Sequence, residues 1–88
     1  MPQLKKSSEK FLASEVDGEL ILVHGDTGAF FAVKDVGLDI WRKLDETSDL
    51  AIISEKLCRE YEVSKEQCHQ SVQRFAQELV DAGFAEFS

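Results

Sequence analysis

Proline is all but missing from this chain. The one proline is Pro2, so no ring interrupts any strand or helix further along. Cysteine and histidine are almost as scarce, with two of each. Structural zinc is normally held by ligand pairs at short spacing, such as CxxC. Cys58, Cys68 and His69 make no such pair, so the two thiols read as small buried hydrophobes. Acyl transfer needs a nucleophile, a base and an orienting group that converge. No serine or cysteine sits in a nucleophile motif, and the carboxylates are scattered over turns and helix surfaces. The reading is therefore of a protein that is not an enzyme, with no metal and no cofactor. GDTG at 25–28 has no following lysine and reads as a hairpin turn rather than a phosphate loop.

Basic residues are also in deficit. Ten Lys and Arg stand against 17 Asp and Glu, a net charge of −7. That balance excludes a phosphate-neutralising nucleic-acid face and an anionic membrane surface. Long apolar runs are absent too. Lys5 and Lys6 are followed by no signal-peptide core, and nothing approaches the length of a bilayer span. The expected location is the cytoplasm, where both thiols stay reduced.

What is present patterns as an α+β domain, with a three-stranded antiparallel sheet followed by three helices in the order β-β-β-α-α-α. Residues 1–10 read as a polar N-terminal segment with a frayed start, and 11–88 as one domain. Phe11 to Val16 forms a first strand. Asp17-Gly18 is a strong hairpin signal, because both central positions of a type I′ turn need positive φ. Leu20 to Val23 is apolar on both faces and belongs in the middle of the sheet. After the turn at 25–28, the segment 29–33 is a third strand, with Ala29, Phe31 and Val33 toward the core and Phe30 and Ala32 away from it.

Asp35 is placed to cap a first helix of about three turns carrying Val36, Ile40, Trp41 and Leu44. Asp49 caps a second, with Leu50, Ile53, Leu57 and Tyr61 as its stripe. Ser64 and Gln67 form a capping box for a third, stapled by Val63 and Cys68. Its stripe is Cys68, Val72, Phe75, Ala76, Leu79 and Val80. Gly83 suits a left-handed C-terminal cap that folds Phe84 back onto Leu79.

The segment 29–33 carries no charge and no proline, the usual devices that blunt an edge strand. An extended peptide can pair with such an edge, and neighbouring side chains then supply sequence preference. On a helical wheel of the third helix, His69, Gln73, Ala76 and Val80 line one flank of the apolar stripe, and Ser71, Phe75 and Glu78 the other. The small Ala76 leaves room for a groove. The alternative is an edge that pairs with its own copy in a homodimeric structural or regulatory module. A winged-helix DNA reader fits less well, because the third helix is net acidic and the strands precede all three helices.

The ordered run Asp17-Gly18-Glu19, Leu20 to Val23, Thr27-Gly28, Phe30-Phe31, Val33, Val36-Gly37, Ile40-Trp41 and Leu44 resembles the PqqD family. The later pattern of Ile53, Leu57, Tyr61, Val72, Phe75, Leu79 and Ala82-Gly83-Phe84 fits it as well. The resemblance implies a RiPP recognition element with a winged-helix-like fold. Such a domain binds the leader peptide of a ribosomally made precursor and presents it to modifying enzymes (a protease, a cyclase or a radical enzyme). It further implies that the leader pairs with the third strand beside the third helix, at Phe30, Phe31, Ala32, Val33, His69, Val72, Gln73 and Ala76. Lys34 stands where the family often has Asn. The turn at Gly25-Asp26 lacks the Pro-Glu of the pyrroloquinoline quinone members and looks closer to lasso-peptide clusters.

Overall fold

The computed structural model describes residues 3–88. Among the described residues, five strands and three helices follow one another as β1 (Leu4–Lys6), β2 (Phe11–Val16), β3 (Glu19–His24), β4 (Phe30–Val33), α1 (Val36–Lys43), α2 (Leu50–Tyr61), α3 (Lys65–Asp81) and β5 (Ala85–Phe87), with a 3-10 turn between β1 and β2. The main sheet is antiparallel in the order β2-β3-β4, as the sequence predicts. Asp17 and Gly18 both have positive φ, which matches the right-handed twist of the flanking strands.

The β3 strand alternates cleanly. Leu20, Leu22 and His24 are buried, and Glu19, Ile21 and Val23 half-buried. Two cross-strand rows on the helix side of the sheet are Ala13-Leu22-Phe31 and Glu15-Leu20-Val33. The helices cover β3 and β4 but leave β2 overhanging. Glu15 therefore points to the helix side without being buried, and accepts a hydrogen bond from Arg42 of α1.

Helix termini follow local chemistry. Asp49 accepts from the Ala51 N–H at 2.9 Å, and Ser64 from the Gln67 N–H at 3.2 Å. At the end of α3 the Phe84 N–H reaches the Leu79 carbonyl and the Gly83 N–H reaches Val80. This is a Schellman closure with Gly83 at φ +85. It drives Phe84 into the centre of the molecule, fully buried. There Phe84 meets Phe11, His24 and Phe31 edge-on at 5.7, 5.7 and 5.9 Å.

Several expectations need correction. The N-terminal segment holds a strand where none was expected: β1 pairs with β5, and Leu4 is 1% exposed, while the expected frayed start lies outside the described residues. Both strands are three residues long, too short for a period-2 pattern to announce them. Asp35 occupies the cap position of α1 but its side chain caps nothing, because φ +54 and ψ −127 turn the chain sharply out of β4. The α1 helix spans eight residues rather than three turns, continuing into short-range turns at Asp45 and Glu46. Ala29 is exposed and precedes the strand, and Tyr61 is 42% exposed rather than part of the core stripe.

Candidate functional site

Among the described residues β4 pairs only with β3, so its other edge is open. The hairpin geometry says which groups that edge presents. The His24 N–H donates to the Ala29 carbonyl at 2.9 Å, which makes Val23-Phe30 a non-hydrogen-bonded pair and Leu22-Phe31 a hydrogen-bonded one. Phe31 and Val33 therefore spend their backbone groups on β3. The N–H and C=O of Phe30 and Ala32 point outward, two donors and two acceptors on an edge free of charge and proline.

The inner side of β4 meets α3 at Phe31. Phe31 lies edge-on to Phe75 at 6.4 Å. Gly37 in the first turn of α1 completes the contact. A Cβ there would stand 3.1 Å from Phe75 and 3.6 Å from Val33, so a larger residue would push Phe75 away from the strand. The α3 flank that faces β4 is thus the one carrying Ser71, Phe75 and Glu78. Along the same flank a cavity of about 140 Å³ opens between the three helices, lined by Val36, Leu57, Tyr61, Val63, Gln67, Cys68 and Ser71.

Tyr61, in the wall of that cavity, has acidic neighbours. The Tyr61 hydroxyl donates to the Asp39 carboxylate. That bond, followed by burial and the negative charges of Asp39, Glu60 and Asp35, pushes Tyr61 up to about 12. Inside, burial raises the Cys68 thiol, with Cys58 adding to the effect. Cys58 donates to the Val63 carbonyl at 2.9 Å across the α2–α3 corner.

The eight residues singled out from the sequence separate into three groups. Phe30 and Ala32 are exposed at the edge, with Phe31 half-buried and Val33 buried just behind them. Val72 and Ala76 are 0% exposed, so Ala76 floors no groove and belongs to the core. His69 and Gln73 are exposed, but on the other flank of α3. His69 shares a separate cavity with Ala51, Ser54, Cys58 and Arg59 on the α2 side. The helical wheel defines both flanks but cannot choose between them. The choice is made by the contact of Phe31 with Phe75, which joins positions far apart in the chain.

Fold and site define a class: a winged-helix-like α+β domain in which a charge-free strand edge lies open beside the third helix. The chain belongs to the family described as Coenzyme PQQ synthesis protein D (PqqD), which it matches over residues 19–85, and it is a PqqD-like RiPP recognition element. Among solved structures it is similar to TbiB1 in complex with the TbiA(beta) leader peptide. The identity is 28% and the TM-score 0.84, over 93% of this chain and 94% of that one. It is also similar in fold to the lasso peptide synthetase B1 complexed with the leader peptide, at 21% identity and TM-score 0.81, covering 96% and 98%. No curated protein compared with the chain matches it significantly. Among the described residues, no helix is long and apolar enough to cross a membrane.

Proposed function

We propose that this protein binds the leader peptide of a ribosomally synthesised precursor by strand addition to β4, and delivers it without catalysis to modifying enzymes such as a protease or cyclase. The carrying observation is the open edge itself, with the outward backbone groups of Phe30 and Ala32 beside the Phe75 flank of α3. The likeness to TbiB1, a protein solved with a leader peptide, supports the same reading. Four main-chain hydrogen bonds give register but little net affinity, since each replaces a bond to water. Apolar side chains entering the cleft between β4 and α3 supply the rest. For a leader of about ten residues the expected affinity is micromolar to nanomolar, roughly −8 to −12 kcal/mol.

The test is an NMR titration of the labelled protein with leader peptides encoded beside its gene. The largest shifts are expected at the Phe30 and Ala32 amides and along Ser71 to Glu78. Shifts confined to β2 or to the His69 flank would overturn the site.

A further inference from the structure

The face of the main sheet that points away from the helices carries Leu12, Ser14 and Val16 from β2, Glu19, Ile21 and Val23 from β3, and Phe30 and Ala32 from β4. Only Glu19 is charged, in a chain where 31% of residues are. Leu12 and Phe30 are each 78% exposed and Val16 55%. A solvated face would carry more charge than this single carboxylate. Its apolar residues are also in register, since Leu12 pairs with Val23 and Val23 with Phe30, which makes one row across three strands. The row stops at the open edge.

We propose that Phe30 is a specificity residue, and that the bound peptide extends this row to a fourth strand. This rests on strand addition at β4 and specifies what the added strand must carry. Phe30 and Ala32 are the residues whose backbone faces the ligand, so in antiparallel addition, the direction proposed here, each forms a hydrogen-bonded pair with one ligand residue. Paired residues share a face. The ligand residue opposite Phe30 therefore projects onto the outer face, against an aromatic ring already backed by Val23. The residue opposite Ala32 projects the same way, in line with Ala32 and, one strand further in, with half-buried Ile21. The ligand residue between them points to the other side, toward Phe31 and Phe75. The recognised segment accordingly has apolar, preferably aromatic or β-branched, side chains two residues apart on the outer face.

The experiment titrates the wild-type chain, Phe30→Ser and Leu12→Ser by calorimetry. The ligands are the leader peptide encoded beside the gene and a set of its single serine variants. Both exchanged side chains are exposed, so the fold is expected to survive, and an unchanged circular dichroism melt checks it. Phe30→Ser is expected to weaken binding about two- to fivefold, the range of one cross-strand pair. One peptide position is expected to lose its serine effect in that background alone. Leu12→Ser, two strands from the ligand, is expected to bind as wild type.

Equal affinity of Phe30→Ser and wild type for every peptide overturns the proposal, even while the Phe30 and Ala32 amides still shift. An equal loss in both variants overturns it as well. A dimer that Phe30→Ser converts to monomer in sedimentation, with peptide affinity untouched, assigns the face to a second copy and also overturns it. If no peptide moves the β4 amides, strand addition itself fails, which is a separate result.

Discussion

Single residues at the junctions of this fold hold more than their size suggests. Phe84 is reached only because Gly83 can adopt φ +85, and three rings close on it from β2, β3 and β4. Phe84→Ala leaves a void where no neighbour can follow, and is expected to cost about 3–5 kcal/mol in a denaturant melt. Asp35 is the opposite case. Its backbone lies in a region that suits glycine, and its side chain offers no capping bond in return. Asp35→Gly is expected to stabilise the domain by up to about 1 kcal/mol, the relief of strain exceeding the added chain entropy. Tyr61 provides a pH test, because it is the only tyrosine. Its folded pKa is raised from 10 to about 12, chiefly by the bond to Asp39. The native state thus holds the proton more tightly than the unfolded one, and this contribution is complete below pH 10 and lost as the pH climbs through 12. Ultraviolet titration of tyrosinate is expected to show a midpoint well above 10, and Asp39→Asn to bring it back toward 10.

Among the elements, β4 turns the backbone groups of alternate residues toward β3 and toward its open edge, and a proline tells the two sets apart. The Phe31 N–H belongs to the ladder with β3, whereas the Ala32 N–H faces outward. Proline is tolerated where a strand's N–H faces solvent. Ala32→Pro is therefore expected to keep the fold with a small loss of stability, while weakening leader binding by tenfold or more through one lost hydrogen bond and a ring in the ligand's path. Phe31→Pro is expected to break the β3–β4 ladder and lower the melting temperature sharply. Calorimetry of the peptide beside a thermal melt checks both variants. An Ala32→Pro chain that binds the leader at full strength would remove strand addition as the mode. Most of these elements are legible in the sequence, since Asp17-Gly18, Asp49, Ser64 and Gly83 each mark a boundary by a local requirement. The facing of α3 is not, because it depends on how closely α1 approaches at Gly37, a distance no periodicity encodes.

At the scale of the whole molecule, the least legible feature is how the chain closes on itself. Residues 1–10 read as polar with a frayed start, and the core that Leu4 joins is announced elsewhere, by stripes on α2 and α3 and by the apolar β3. Yet Leu4 is as buried as those stripes, its N–H reaches the Ser48 carbonyl at 2.9 Å, and its strand pairs with the last one. One apolar residue between polar neighbours gives no pattern, and its partner Phe87 lies at the other end of the chain. The functional reading survives this correction, because β1 and β5 form their own two-stranded sheet apart from the β4 edge. That separation leads to a prediction about the molecule as a unit. Leu4→Ala opens a cavity under β5 and is expected to cost about 2–5 kcal/mol. In a domain of this size that lowers the melting temperature by roughly 4–8 °C per kcal/mol. Leader affinity measured well below the melt is expected to stay within about twofold of wild type, because the loss falls on global stability and not on the edge. A Leu4→Ala chain that melts as wild type would mean that the terminal sheet contributes nothing to the core. One that remains folded but loses the leader would mean that this sheet and β4 are coupled.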